Sequence, residues 1–237
     1  MHITIVYEGV LPALKYGGIQ RVLWYLGKEL ISRGHGVTYL VGEGSYCDFA
    51  PVLFIDRNRP LNEQIPETTD IAHVSYFNRR EADDLQIPHL VHMQVNFYDG
   101  RDYPINTVFV SKNHAERHGS DTYVYNGMQW DDYGPVDLTN NRDYFHFLGK
   151  ASWSIKNLKG AIKVTHKVKG AKLDVLGGKR FNINQGIRLT FSPRIRFHGM
   201  VGGDHKSKLI NGSKGMIFPV IWNEPFSITV ETYPKRH

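Results

Sequence analysis

The chain has 237 residues, 41% of them hydrophobic and 22% charged, with 29 lysines and arginines against 23 aspartates and glutamates, a formal charge of +6. That composition excludes a disordered, collagen-like or disulfide-dense protein, and the length allows roughly one and a half to two domains of typical size. The charge excess is mild. It suits anionic small molecules, nucleic acid or a phospholipid surface and selects none of them. The single cysteine, Cys47, cannot form an internal disulfide, which favours a reducing, cytoplasmic setting. The first residues meet Glu8 before any long apolar run and lack a leading basic cluster, so no secretory signal is expected. No apolar stretch reaches the roughly 18 residues of a membrane helix, so any membrane contact is expected to be peripheral.

His2 to Val6 reads as a short strand, followed by a loop to Tyr16 and then Gly17-Gly18. Ile19, Val22, Leu23, Leu26 and Leu30 repeat at three and four residues, one face of a helix ending near Arg33-Gly34. Gly36 to Val41 is the next strand. Strand, glycine loop, helix and strand in succession form a βαβ unit and imply a parallel sheet. Further β runs follow at Val52 to Ile55, Ile71 to Val74, His89 to His92, Thr107 to Ser111 and Thr122 to Tyr125. Most are nearly continuous apolar stretches, the pattern of strands covered on both faces.

The polar, turn-rich segment 129–142 marks a boundary between a domain at 1–130 and another at 143–237. Beyond it the pattern restarts. Tyr144 to Gly149 is a strand, Leu158 to Val168 a helix, Lys172 to Leu176 a strand closed by Gly177-Gly178, and Ile195 to His198 another strand. A short helix near Lys206 to Ile210 precedes a buried strand at Gly215 to Val220, and a helix is expected from Phe226. The fold class is therefore α/β, two Rossmann-like domains with a cleft between them.

Three motifs carry chemistry. Tyr16-Gly17-Gly18-Ile19-Gln20-Arg21 puts glycines, which let a ligand approach the backbone, before a helix whose N–H groups attract an anion. A plain strand-to-helix turn fits the same residues. Lys150 and Lys156 flank the end of a strand, where doubly wound sheets bind ligands, and two ammonium groups there would neutralise a diphosphate. A solvated basic loop is the alternative. Asn223-Glu224-Pro225-Phe226-Ser227 sets a carboxylate beside the expected helix start, an arrangement for gripping sugar hydroxyls. Lys159, Lys163 and Lys167 form a stripe read as solvent-facing rather than as a nucleic-acid or lipid contact. His114 and His118 lack the pattern of a zinc protease and are read as surface residues. No cysteine pair or acidic cluster points to a metal. His92, at a strand end, is the histidine expected to face the cleft.

In order along nearly the whole chain, these pieces resemble the GT-B glycosyltransferases of the family-4 type, retaining enzymes that use nucleotide-diphospho-sugars. Gly17-Gly18 resembles the family's glycine loop. Val108 to Ser111 with Val124 to Met128 resembles the strand pair closing the first domain. Phe147 to Lys150 through Lys156-Asn157-Leu158 resembles the basic pair on the donor diphosphate, with lysine at position 150 where arginine is usual, keeping charge but losing bidentate geometry. Phe197-His198-Gly199 and Phe218-Pro219 match later strands, and Glu224-Pro225-Phe226-Ser227 the donor-sugar turn.

The resemblance implies that Gly17 and Gly18 approach the donor and that Lys150 and Lys156 stabilise the leaving nucleoside diphosphate. It implies that N–H groups at Phe226 and Ser227 and the Glu224 carboxylate orient the sugar, and that His92 faces the reacting centre. No metal, cofactor or nucleic acid is implied. The partners are a nucleotide-sugar donor and a saccharide or glycolipid acceptor. The family's second glutamate lies eight positions after the first, whereas Glu231 lies seven after Glu224 and Thr232 stands at the eighth. One residue rotates a helical side chain by about 100°. With Pro234 a helix breaker and the sequence stopping at His237, the second domain is expected to be incomplete, and an inactive paralogue that binds nucleotide or a partner subunit is the alternative to an active enzyme.

Overall fold

A computed structural model describes residues 1–13, 17–75, 82, 84–96, 103–129, 137, 139–182 and 188–227. The chain forms two compact units, one from Met1–Ala13 and Gly17–Met128, the other from Gln129 onward.

The first unit contains β1 (His2–Tyr7), α1 (Gly18–Ser32), β2 (Gly36–Val41), β3 (Val52–Phe54), β4 (Ile71–Ser75), β5 (His89–Met93), β6 (Thr107–Phe109) and α2 (Lys112–Arg117). Its six strands are all parallel in the order β3-β2-β1-β4-β5-β6, the doubly wound order in which the direction of winding reverses between β1 and β4. Both faces of the central strands are covered. Ile3, Ile5 and Tyr7 of β1 pack with Leu23 of α1 and with Val37, Tyr39 and Val41, while Val6 packs on the other face with Leu40, Val74, Leu61 and Leu85. This two-sided burial is why β1 and β2 read as unbroken apolar runs.

The second unit contains β7 (Tyr144–Leu148), a 3-10 turn (Ser154–Lys156), α3 (Leu158–Lys167), β8 (Leu173–Leu176), β9 (Phe181–Asn182), β10 (Arg188–Leu189), β11 (Ile195–Phe197), α4 (Gly203–Asn211) and β12 (Ser213–Met216). β9 and β10 form a small antiparallel hairpin, and the main sheet is parallel in the order β11-β8-β7-β12. That order repeats the first four positions of the first sheet, so its winding reverses between β7 and β12. Phe147, Leu173, Val175 and Ile195 meet Leu158 and Ala161 of α3 in the core. The buried Asp174 carboxylate on β8 accepts from both Arg196 (2.7 and 3.0 Å) and His198 (2.9 Å), tying β8 to the end of β11.

Three expectations need correction. Thr122 to Tyr125 is not a covered strand: only Tyr123 bridges to Phe109, through two backbone hydrogen bonds, and Tyr123, Val124 and Tyr125 are exposed. The strand expected at Gly215 to Val220 is β12, which starts at Ser213 and stops at Met216. Ser213 Oγ lies 2.8 Å from His146 Nδ1 and accepts from Gly215 N at 3.1 Å, so a side chain takes over backbone pairing and the register shifts. Pro219 then has no N–H for a ladder. Finally, His114 is no surface residue. It is buried as α2 lies over β6, with its ring edge-on to Phe109 at 5.0 Å, and His118 stacks on the same ring at 5.3 Å.

Candidate functional site

In open parallel sheets ligands sit beyond the carboxyl ends of the strands, at the point where winding reverses. In the second unit that point is flanked by the segment after β7, which carries Lys150 and Lys156, and the segment after β12, which carries Glu224. The structure brings two of these three together. Lys156 Nζ donates to both carboxylate oxygens of Glu224, at 2.9 and 2.7 Å.

The local sequence explains how Lys156 turns inward. The 3-10 turn ends at Asn157, a non-glycine residue in the left-handed region (φ 54°), and the Asn157 side chain caps α3 by accepting from Gly160 N at 3.0 Å. The Asn157 amide also donates to the Pro219 carbonyl at 2.8 Å, and Ile221 N donates to the Ile155 carbonyl at 3.1 Å. The two segments are thereby stitched together. Trp222 Nε1 donates to Glu224 Oε2, and the Trp222 and Phe218 rings lie 5.4 and 6.0 Å from Lys156 Nζ. The Lys156 side chain is 11% exposed and that of Glu224 20%.

The neighbouring strand ends are built from glycine. Gly177, after β8, has φ 136°, and a Cβ there would lie 2.0 Å from the carbonyl oxygen of Gly149, after β7. Gly149 N and Ala151 N donate to the carbonyls of Leu176 and Gly177. No residue with a side chain permits that approach. Lys150 is exposed, with its ammonium 5.0 Å over the Trp153 ring, and is not joined to Glu224.

Phe226 and Ser227 follow Glu224 but are not helical, so the helix expected to start at Phe226 is absent through Ser227. Glu231 lies outside the described residues. Sequence motifs assign no part in the site to the Trp222 and Phe218 rings, the Asn157 side chain or the Gly149–Gly177 contact. The one available signal was Asn157, a capping residue type directly before the periodic run of α3.

In the first unit Gly17 precedes α1 with φ 154°, and a Cβ there would meet Ala13 Cβ at 2.6 Å and Gln20 Oε1 at 2.5 Å. Gly18 opens the helix, and its N-cap residue, Gly17, has no side chain with which to cap it. The segment leaves β1 at the point where winding reverses. His92 was expected to face an opening. It is instead buried in β5, edge-on to the His73 ring of β4 at 5.0 Å. Burial lowers the pKa of His73 to about 4, and burial followed by the proximity of His73 lowers that of His92 to about 3, so both rings are neutral near pH 7. Gln94 donates to Ser75 Oγ at 3.0 Å on the same face. A cavity of about 610 Å³ in this unit lies at the amino end of β6, lined by Tyr103, Ile105, Phe109 and His118, and holds none of the candidate residues. Among the described residues, no group of three or more His, Cys, Asp or Glu side chains converges as a metal site would require.

No family model and no curated protein matches the chain. Solved structures do. AviGT4, a glycosyltransferase involved in avilamycin A biosynthesis, aligns with a TM-score of 0.73 at 17% identity, over 98% of this chain and 75% of its own. Anabaena HepE, solved with UDP and glucose, aligns at 0.68 and 13%, over 98% and 78%. An α-glucosyltransferase solved with UDP and a 13-mer DNA aligns at 0.63 and 11%, over 94% and 73%. The chain has the GT-B glycosyltransferase fold.

Proposed function

We propose that the chain transfers a sugar from a nucleotide-diphospho-sugar to a hydroxyl acceptor, with retention of anomeric configuration, in the cytoplasmic assembly of a polysaccharide or glycolipid. The observation that carries this reading is the Lys156–Glu224 pair beyond the carboxyl ends of β7 and β12, where a ligand of such a sheet sits. The solved structures support the donor class, since HepE is recorded with UDP and with UDP-glucose.

In this reading the donor diphosphate meets the Lys156 ammonium, and exposed Lys150 swings onto the same phosphates. Glu224, released from one of its bonds, accepts from sugar hydroxyls, with the Phe226 and Ser227 amides beside it. The bond from the anomeric carbon to the diphosphate oxygen breaks as the acceptor oxygen attacks the same face, and the leaving phosphate oxygen takes the acceptor proton. Preorganised lysine charge aimed at the departing phosphate supplies the transition-state stabilisation, with no protein nucleophile and no metal.

Glu231 falls one position short of the spacing of the second glutamate in the resembled family, which favours a second reading: nucleotide binding without turnover. Incubation with radiolabelled UDP-, GDP- and ADP-sugars separates the two. Label appearing in a hydroxyl acceptor with the donor's anomeric configuration supports transfer. Nucleotide binding with no transferred label supports the second reading, and the absence of both transfer and nucleotide binding overturns the enzyme reading.

A further inference from the structure

The charge of +6 is not spread evenly. Residues 151–203 hold eleven lysines and arginines and one acidic residue, Asp174, while the rest of the chain is net negative. Asp174 is buried and pairs with Arg196 and His198, Lys156 pairs with Glu224 and Lys172 with Asp143, so the surface excess rests on the other eight cations.

Much of this charge gathers at one end of α3. Leu158, Ala161 and Thr165 face the core. On the opposite side Lys163, Val164, Lys167 and Val168 form one contiguous exposed face at three- and four-residue spacing, continued by Lys169. The adjoining loop is fixed against the helix end. Arg194 donates to the Val168 carbonyl at 3.1 Å, and His166 Nε2 lies 3.0 Å from Ser192 Oγ. That anchorage holds the loop beside the helix terminus, and Phe191, which precedes Ser192, is 82% exposed, while Val164 and Val168 on the helix are 50% and 52% exposed. The patch lies toward the amino ends of β8 and β11, about 15 Å along α3 from Lys156.

We propose that this face is a peripheral docking surface for an anionic phospholipid bilayer, with Val164, Val168 and Phe191 entering the interface and Lys163, Lys167 and Lys169 meeting the headgroups. Cations flanking exposed apolar side chains are the pattern of interfacial binding, where buried area and charge add. Two of the three apolar side chains are valines, which offer no ring for a base to stack on and leave Phe191 as the single aromatic among them, and this favours a bilayer over nucleic acid. A second copy meeting its own patch would bring like charges face to face. The inference does not depend on the transferase reading, because the residues lie outside that site.

Sedimentation with phosphatidylcholine vesicles containing about one third phosphatidylglycerol, and with pure phosphatidylcholine vesicles, tests it. Each cation near an anionic surface is worth on the order of fivefold in partitioning. Binding to the anionic vesicles should exceed that to neutral ones by at least about tenfold and weaken as salt rises. The double variant Val164→Ser/Phe191→Ser should lose about tenfold at constant salt. The double variant Lys163→Glu/Lys167→Glu should lose the preference for anionic lipid. Unchanged thermal midpoints show that both variants remain folded. No sedimentation with anionic vesicles, equal binding to neutral ones, or wild-type binding by both variants would overturn the proposal. So would tight binding to a DNA oligonucleotide without binding to vesicles.

Discussion

Lys156 and Glu224 stand 68 residues apart in sequence, and the ammonium of one lies between the two carboxylate oxygens of the other. The contact joins the segments that leave β7 and β12, the two strands between which the sheet reverses its winding. Its strength as a structural element is measurable. Removing one partner of a buried pair leaves the other charge uncompensated, at about 3–5 kcal/mol when burial is complete. Because both side chains keep some exposure, Lys156→Met should lower the unfolding free energy by about 2 kcal/mol. The double variant Lys156→Met/Glu224→Gln should recover part of that loss in urea denaturation.

Gly177 faces the Gly149 carbonyl so closely that any Cβ meets backbone, and its φ of 136° already disfavours side chains. Gly177→Ala should therefore cost about 3 kcal/mol or more, through strain and the displacement of β7 from β8. Thermal unfolding reads the loss. A variant as stable as the parent would show that the two strand ends do not touch.

Stability should also fall with acid. Burial holds His73 and His146 at about 4 and His92 at about 3, below the ordinary 6.5. The unfolded chain binds more protons than the folded one between those values, so the contribution is complete above about pH 6.5 and is lost as pH falls toward 4. Urea midpoints at descending pH should drop across that window, and His73→Leu should flatten the slope. A flat profile would mean that these rings are hydrated.

Much of the architecture was legible because its physics is local. The two-sided burial of β1, β2 and β4 writes itself as apolar runs, and the spacing of Val22, Leu23, Leu26 and Leu30 fixes α1. The failures have non-local causes. β12 shifted because Ser213 bonds to His146, 67 positions away. His114 reads as a surface residue until α2 packs it against Phe109. At the site, the residue types were visible as two lysines and a glutamate. Nothing in their spacing indicated that Lys156, rather than Lys150, would be buried against Glu224 under the Trp222 ring, because that choice depends on the left-handed turn at Asn157.

The most direct test is calorimetric titration of the protein with UDP, GDP and ADP, repeated on Lys156→Ala and Lys150→Ala. One charge-assisted hydrogen bond to phosphate is worth about 1.5–3 kcal/mol, roughly tenfold or more in affinity. Lys150 is exposed, and its substitution should leave stability within about 0.5 kcal/mol, so that variant reports on binding alone. The account predicts that one of the three nucleotides binds and that each substitution weakens it by about tenfold or more. Binding that is unchanged in both variants, or absent for all three nucleotides, would contradict it.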